Sequence, residues 1–420
     1  MLIRFIFLTT IISYTYSYIA TCPSRCQCYE DLEDRQRSLH LICKWEQVNS
    51  TNLQTLGRPE RVRTLTIRCP HSVSEFSTPP PGIFHGLRNL DRLEIDRCLL
   101  RNLHPALLSG LHKLYSLIIK NSKLDDIPKD FFGYVPNLMT LDLTGNNLRI
   151  EPYSLRSLKN LIHLDLSNNS ITFLANTLIS LTKLKVLNMD HNKLANIDFR
   201  RLPEELTDLS LRHNSINTIH YVPNSARHLR RLDLAGNLLE HISSSGSVNV
   251  LPVSLRSVDL SHNRINYIQE GVVNKNSKLS VLDLKNNSLH ELRESAVSGS
   301  ASNSKLRVFL ADNPLNCHCN IRWLLHLNQV SSVVVSDLDQ LKCNHIIEVN
   351  QTIALSIADS TNQLMCKYTE YCPSSCRCCP DEKCKCRSTC PTGCTCYRSA
   401  NADSPRFYFE CKGTMNRRKI

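Results

Sequence analysis

The stretch that decides the fold is residues 138–148, which read LMTLDLTGNNL. Leucines stand at its first, fourth, sixth and eleventh positions and Asn146 at its ninth, so the frame is LxxLxLxxNxL. The same frame returns at residues 161–171, 184–194, 206–216, 229–239, 255–265 and 279–289. Self-similarity at a fixed period predicts a repeat architecture in which each repeat is one structural unit.

Earlier and later copies extend the series. Residues 90–100 and 114–124 keep the aliphatic frame but place Cys98 and Ser122 in the asparagine column, and a weaker copy lies at 62–67. From Cys98 to Asn313 the column advances by 24, 24, 23, 23, 22, 23, 26, 24 and 26 residues. Such even steps predict a continuous array over residues 46–312, with about 10–11 repeats.

Each position of the frame has a physical role. The LxL segment predicts a short strand whose leucines point inward and stack on those of the next repeat. The asparagine, at the turn after the strand, can satisfy buried backbone groups with its amide, so the column predicts a hydrogen-bonded ladder. The frame is typical of leucine-rich repeats. It predicts an α/β solenoid, a leucine-rich-repeat horseshoe with a parallel concave sheet.

The 20 cysteines are clustered at the two ends of this array. Six precede residue 100, none lies between Cys98 and Cys317, and fourteen follow. Clustered cysteines in even number predict disulfides, and therefore an oxidising compartment. A zinc site is the alternative interpretation of closely spaced cysteines. Within the array, Cys69 and Cys98 can either pair or leave Cys98 as a buried thiol of the ladder, and we expect the buried thiol.

Two cysteine segments resemble the capping modules of extracellular leucine-rich-repeat proteins. The N-terminal one, residues 21–45, contains CPSRCQC at 22–28 together with Cys43, and the C-terminal one, residues 313–366, contains NPLNCHCNIRWLL at 313–325. The resemblance implies that Trp323 covers the core of the last repeat. It also implies four disulfides that close both ends of the array: Cys22–Cys28, Cys26–Cys43, Cys317–Cys343 and Cys319–Cys366.

The C-terminal tail begins a second N-terminal cap. Its cysteines at 390, 394, 396 and 411 repeat the spacing of those at 22, 26, 28 and 43, and Tyr397 follows the third cysteine as Tyr29 does. This predicts an incomplete second cap over residues 390–420. Its disulfide-bonded cysteines would be Cys390, Cys394, Cys396 and Cys411.

Residues 366–411 resemble the extracellular region of invertebrate Toll receptors of the multiple-cysteine-cluster type. There a C-terminal cap is followed by a Cys-rich link, here residues 367–389 with CxCC at 376–379 and CxC at 384–386, and then by a CPxxCxCY cap, here at 390–397. The resemblance implies that the chain captures an extracellular protein ligand, with cystine-knot cytokines as candidates, in innate immunity or development. It also implies association with a second copy or with other leucine-rich-repeat chains.

The sequence departs from Toll receptors after this point. Toll receptors continue into further repeats, a membrane helix and a cytoplasmic TIR domain, which do not follow here. We expect either a truncated product or a secreted ectodomain-like form, and favour truncation because an unfinished cap exposes an apolar face. The alternative function is that of a secreted matrix or axon-guidance protein with no signalling role of its own; the CxCC and CxC elements favour the Toll type.

The N-terminus predicts secretion. Arg4 precedes an apolar run over residues 5–12, and small residues follow, which is the pattern of a signal peptide over residues 1–20. No later window has the roughly 18 apolar residues of a membrane-spanning helix. The formal net charge of +12 is spread along the chain and favours attraction to acidic glycans or cell surfaces over nucleic-acid reading.

The candidate ligand-binding residues face the predicted concave surface. Between the two inward leucines of the strands stand acidic residues, which predict an acidic stripe for a basic ligand, although aspartate is also frequent in this slot of such repeats: Glu94, Asp142, Asp165, Asp233, Asp259 and Asp283. His191 and His213 stand just before the ladder asparagine on successive strands. Stacked histidines would repel when protonated, which predicts release of a partner in acid.

The remaining motifs concern modification and catalysis. Glycosylation sequons occur at Asn49, Asn168, Asn286 and Asn350. The sequence contains no GxSxG, HExxH, GxxxxGK[ST] or GxGxxG motif, so we predict a binding protein without catalytic residues, metal or cofactor and without a nucleic-acid partner.

Overall fold

The structure is a computed structural model of the 420-residue chain. It describes residues 22–31, 33–34, 37–48, 53, 56–70, 76–222, 225–243, 251–271, 273, 276–297, 306–317, 321, 323–324, 333–344 and 352–355, and the backbone of 365–367, 394–399, 407–411 and 414–416. The predicted signal peptide, most of the Cys-rich link, Cys319, Cys390, Asn49 and Asn350 lie outside these residues.

Short strands recur once per repeat, as the frame predicts. In strand Thr140–Asp142 and the residue after it, Leu141 and Leu143 are buried, while Thr140 and Asp142 are partly exposed on the opposite face. The strands are β1 Cys26–Glu30, β2 Leu39–Lys44, β3 Val62–Arg68, β4 Arg92–Asp96, β5 Ser116–Lys120, β6 Thr140–Asp142, β7 His163–Asp165, β8 Val186–Asn188, β9 Asn196–Asp198, β10 Asp208–Ser210, β11 Thr218–His220, β12 Arg231–Asp233, β13 His241–Ile242, β14 Ser257–Asp259, β15 Tyr267–Ile268, β16 Val281–Asp283, β17 Leu306–Phe309, β18 Val333–Val335, β19 Lys342–Asn344, β20 Thr352–Ala354, β21 Met365–Lys367, β22 Cys394–Ser399, β23 Phe407–Cys411 and β24 Thr414–Asn416.

Helical turns on the return path are short. One α-helical turn spans Glu294–Val297, and 3-10 turns span Pro59–Arg61, Pro105–Leu108, Phe131–Tyr134, Tyr153–Ser157, Leu178–Ser180, Phe199–Arg201 and Leu338–Gln340. These turns bury large side chains against the inward leucines. Phe131 and Phe132, for example, are fully buried and pack edge to face with ring centroids 5.2 Å apart.

The chain forms two compact units, Met1–Leu194 with Arg201–Leu206 and Ala195–Arg200 with Thr207–Ile420. In the first unit, β2 to β8 form a parallel sheet in chain order, and β1 lies antiparallel to β2. In the second, β10, β12, β14, β16, β17 and β18 form a parallel sheet in that order. The eleven repeat strands from β3 to β17 make a parallel-strand solenoid, which confirms the predicted fold class.

The asparagine ladder joins successive repeats. The side-chain amide of Asn169 donates to the carbonyl of Leu166 in its own repeat and to that of Leu143 in the preceding one, both at 3.0 Å. Its oxygen accepts from the backbone N–H of Leu148 at 3.0 Å. Seven ladder residues bond the preceding repeat in this way: Asn146, Asn169, Asn192, Asn237, Asn263, Asn287 and Asn313.

Disulfides close the N-terminal end and part of the C-terminal end. The structure contains the bonds Cys22–Cys28, Cys26–Cys43 and Cys317–Cys343. Trp323 donates its indole N–H to the carbonyl of Leu292 at 2.8 Å. The bond between Cys319 and Cys366 stays a prediction, since Cys319 is not among the described residues.

The expectation of a free Cys98 is wrong. Cys98 is bonded to Cys69 of the preceding repeat, with Cα atoms 4.9 Å apart. The parallel register of β3 and β4 sets Arg68 opposite Asp96. Cys69 follows Arg68 directly and Cys98 comes two residues after Asp96, so the two cysteines lie diagonally across the ends of neighbouring strands, within bonding reach.

The tail hairpin repeats the backbone register of the N-terminal cap. In β1 and β2, Cys26 lies opposite Cys43 and Tyr29 opposite His40; in β22 and β23, Cys394 lies opposite Cys411 and Tyr397 opposite Tyr408. Equal cysteine spacing is therefore matched by equal strand pairing. The assignment of residues 390–420 as a second cap, like the other predicted domain boundaries, stays a prediction.

Candidate ligand-binding face

The open face of the parallel sheet consists of columns of equivalent residues. We call the residue between the two inward aliphatics of a strand the central column, and the residue immediately before the ladder position the exit slot. The central column contains all six acidic candidates: Glu94 on β4, Asp142 on β6, Asp165 on β7, Asp233 on β12, Asp259 on β14 and Asp283 on β16. Parallel pairing sets Asp142 opposite Asp165 in the first unit, and Asp233, Asp259 and Asp283 opposite one another in the second.

Each central aspartate caps the turn that follows its own strand. One oxygen of Asp142 accepts from the backbone N–H of Thr144 at 2.9 Å, and Asp165 accepts from that of Ser167 at 2.8 Å. The same bond forms at Asp233, Asp259 and Asp283. Asn188 does the same with its side-chain oxygen at 3.0 Å. Turn capping is therefore a structural reason for aspartate in this column.

Carboxylates on neighbouring strands repel one another. Burial is the largest cause that raises the pKa of Asp142, and the charge of Asp165 adds to it against the bonds from Thr144. Burial likewise raises the pKa of Asp283, and the charge of Asp259 adds to it. A cationic partner bound along the column would therefore relieve the repulsion between these carboxylates.

Basic side chains of the protein already contact part of this column. Arg212 reaches Asp233 at 3.1 Å, and Lys285 reaches Asp283 at 3.2 Å. Asp259 bonds the N–H and hydroxyl of Ser261 through one oxygen, and its other oxygen accepts no hydrogen bond from the residues that the structure describes. Asp259 thus presents the most available carboxylate of the three.

Glu94 differs from the aspartates. It is 7% exposed and contacts Lys120 at 3.0 Å and Arg92 at 3.3 Å. Burial acts to raise its pKa, but the hydrogen bonds and charges of Lys120 and Arg92 outweigh burial and hold the pKa below its usual value. In addition, Ile118 stands between Glu94 and Asp142 in the column. The predicted stripe is therefore interrupted at its N-terminal end.

The exit slot has a left-handed backbone throughout. Its residues have φ between 50° and 70°: Arg97, Asn121, Gly145, Asn168, His191, His213, Gly236, His262, Asn286 and Asp312. Glycine, asparagine, aspartate and histidine tolerate this conformation better than other residues do. The conformation is a local reason for the histidines that the sequence singled out. His191 belongs to the first unit and His213 to the second.

Two sequon asparagines occupy the same slot. Asn168 is exposed and Asn286 half-exposed. Their backbone N–H groups bond the carbonyls of Asp190 and Ala311 in the following repeats at 2.8 and 3.0 Å. Both side chains stand where the chain leaves the sheet, so a glycan there would border the open face.

A polar cavity of about 380 Å³ lies on the turn side of the first unit. Its lining comprises Asp125, Asn147, Arg149, Ser170, Thr172 and Lys193. These residues stand one or three positions after the ladder residues, outside the columns of the open face. A polar, turn-lined cavity of this kind lacks the apolar walls that usually enclose a small-molecule ligand.

The structure adds residues that the sequence did not indicate. Asp337, 4% exposed, accepts from the backbone N–H groups of Leu310 and Ala311 at 2.7–3.1 Å and so caps the last repeat strand. No frame position signals it, because it follows the repeats. Among the described residues, no group of His, Cys, Asp or Glu is arranged to hold a metal ion. Nor is any helix in the described ranges both long and apolar enough to cross a bilayer.

Comparisons with known proteins agree with this architecture. The leucine rich repeat family matches residues 112–152, 148–194 and 253–314. Toll-like receptor 7 of Drosophila melanogaster is 24% identical over 214 residues, which are 49% of this chain and 14% of the receptor. Podocan-like protein 1 of Mus musculus is 27% identical over 226 residues, 52% of this chain and 34% of that protein. The chain thus spans 34% or less of the length of these relatives.

A solved structure shows the same fold. The LRIM1/APL1C complex matches with a TM-score of 0.50 and 19% identity, over 70% of this chain and 59% of the matched chain. The repeat frame, the asparagine ladder and the family match over residues 112–152, 148–194 and 253–314 agree with this leucine-rich-repeat fold.

Proposed function

We propose that this chain is the extracellular, ligand-capturing part of a Toll-like-receptor-type protein, and that its open sheet face binds a basic protein ligand. The observation that carries the proposal is the in-register alignment of Asp233, Asp259 and Asp283 on three adjacent parallel strands. Three carboxylates at strand spacing present more negative charge than Arg212 and Lys285 neutralise. Cystine-knot cytokines are the ligand class that the Toll resemblance suggests. The similarity to Toll-like receptor 7 supports this reading at the level of the family.

The test uses the full chain, secreted from insect cells and immobilised, with a panel of basic cystine-knot cytokines as analytes. Asp259→Asn with Asp283→Asn removes two charges and keeps the turn bond, since Asn188 makes that bond in the same column. We expect the dissociation constant for the bound cytokine to rise at least about tenfold, because each close charge pair contributes on the order of 1 kcal/mol. The matched control is Glu240→Gln with Glu291→Gln, two exposed acids outside the central column. Equal affinity of both double variants would overturn the proposal.

A secreted matrix protein is the second candidate, and the similarity to Podocan-like protein 1 favours it. The two functions differ in what the transcript encodes after Ile420. Further repeats, a membrane helix and a TIR domain would support the receptor. A stop codon and a secreted product would support the matrix protein or a decoy form.

Secretion and glycosylation belong to the same proposal. The disulfides support an oxidising compartment, and the sequons at Asn49, Asn168, Asn286 and Asn350 would carry glycans there. Mass spectrometry of the secreted chain before and after glycosidase treatment measures occupancy at each asparagine. N-terminal sequencing of the same sample locates the cleavage site expected near residue 20.

A further inference from the structure

Basic side chains are concentrated at one margin of the sheet in the second unit. This margin is formed by residues that enter the strands ahead of the first inward aliphatic. We define the arginine margin as Arg230, Arg231, Arg256, Lys278 and Arg307, all of which are exposed. The described entry residues of β10, β12, β14, β16 and β17 include two acids, Glu205 and Asp208, and Asp208 pairs with Arg231. The margin therefore has a clear excess of positive charge.

The two central arginines have fixed backbones and open side chains. The carbonyl of Arg230 accepts from the N–H groups of Arg256 and Ser257 at 2.8 and 3.1 Å, which holds the two arginines on adjacent rungs about 4.8 Å apart. Within the described residues, neither guanidinium has a carboxylate partner, and the pair is joined on the same edge by Lys278 and Arg307. Two neighbouring guanidinium groups without counter-ions form a site for a multiply charged anion.

The corresponding margin of the first unit has a different character. There Arg63 contacts Asp91 at 3.5 Å and Arg92 contacts Glu94 at 3.3 Å, so these arginines have acidic partners. The entry residues that follow at the same position are Tyr115, Met139 and Ile162, which are uncharged, and then the exposed Lys185. Arginines at this position on two adjacent rungs, as at Arg230 and Arg256, are thus a feature of the second unit and not a consequence of the repeat frame.

We propose that the arginine margin binds a sulfated polysaccharide of the glycosaminoglycan type. Sulfate groups spaced along a flexible chain can follow guanidinium groups that are spaced along a sheet edge, and guanidinium matches the oxygens of sulfate in bidentate geometry. The described entry residues of β10, β12, β14, β16 and β17 include no Phe, Tyr or Trp on which a nucleobase could stack. The disulfides also indicate a compartment where sulfated glycans are abundant. This site borders the central column, since its arginines lie two to three residues earlier in the same repeats, but sulfate binding there does not depend on the proposed protein ligand.

The experiment measures binding of the secreted full chain to immobilised heparin as a function of NaCl. Arg230→Ser with Arg256→Ser should weaken binding about tenfold at physiological salt and lower the slope of log affinity against log salt by about 2. The matched control, Arg88→Ser with Lys113→Ser, removes two exposed charges from the first unit and should leave the affinity within about twofold. Thermal melts of both variants confirm folding.

Two further arms decide between polyanions. Heparin stripped of its sulfates should fail to compete. The variant Arg230→Lys with Arg256→Lys should retain part of the affinity, because lysine keeps the positive charge but lacks the planar guanidinium that binds sulfate in bidentate geometry. If the serine variant bound heparin as the native chain does, the assignment of the site would be wrong. Tighter binding of a single-stranded RNA, lost in the same variant, would replace the polysaccharide by a nucleic acid and equally overturn the proposal.

Discussion

Cys98 stands at the first ladder position, and its sulfur is bonded to Cys69 in the preceding repeat. A covalent bond thus joins two repeats where asparagine hydrogen bonds join the later ones. The bond closes a loop of 29 residues in sequence. It adds a covalent link between the first two repeat strands, β3 and β4, next to the N-terminal cap.

Replacing both cysteines by serine should lower the free energy of unfolding of the array by about 3–4 kcal/mol, the loop-closure value for this separation. Urea denaturation monitored by circular dichroism measures it. Cys69→Ala with Cys98→Asn should recover part of the loss, because asparagine restores the ladder bonds. A serine variant as stable as the native chain would show that the disulfide does not contribute to the free energy of unfolding.

Asn169→Ala should lower the free energy of unfolding by about 2–4 kcal/mol. The change leaves the carbonyls of Leu143 and Leu166 and the N–H of Leu148 buried without their partner. Asn147→Ala removes an exposed asparagine with one weak side-chain bond and serves as the control, with an expected loss below about 0.5 kcal/mol. If the two variants had similar denaturation midpoints, the prediction that the ladder hydrogen bonds stabilise the fold would be contradicted.

Gly236→Ala should destabilise the second unit by about 1–3 kcal/mol. Gly236 has φ +70°, and a Cβ there would lie 2.5 Å from Nδ1 of His213. Gly133→Ala is the control, since nothing lies within 4 Å of its Cβ position. Calorimetry compares the melting temperatures of the two variants. An equal fall in melting temperature for both would refute the steric conflict between a Cβ at position 236 and His213.

Asp142→Asn should raise the melting temperature at pH 7. Burial and the charge of Asp165 raise the pKa of Asp142, so its ionised form costs stability as the pH rises through that pKa. Asparagine keeps the turn bond without the charge. The gain should shrink as the pH falls and vanish below 3.8, the ordinary value of the carboxyl group. Melting curves from pH 3 to pH 8 check this, and a gain that grows in acid would reverse the sign of the argument.

His191→Gln with His213→Gln should abolish the release of a bound protein ligand between pH 7 and pH 5.5. Each protonated histidine would add positive charge beside the acidic column of its own unit. Dissociation rates at the two pH values, measured by surface plasmon resonance, test the effect. His163→Gln alters a histidine at the entry of β7 and is the control. Unchanged acid release from the double variant would remove the switch.

The repeat frame alone was enough to predict the strand of each repeat, the inward leucines and the asparagine ladder. These features depend on residues close in sequence and on their identical stacking, so periodicity contains the information. The cysteine spacing likewise indicated the end caps, and the family resemblance supplied the pairings Cys22–Cys28, Cys26–Cys43 and Cys317–Cys343.

Only the tertiary structure decided which side chains bond to partners that are distant in sequence. The Cys69–Cys98 bond depends on the register of two strands, and the capping role of Asp337 depends on where the chain returns after the last repeat. The left-handed exit slot explained the histidines and sequon asparagines by backbone conformation. Whether Asp259 or Arg230 is open to a partner depends on the ion pairs of neighbouring strands, because charge availability is set by contacts in space and not by the frame.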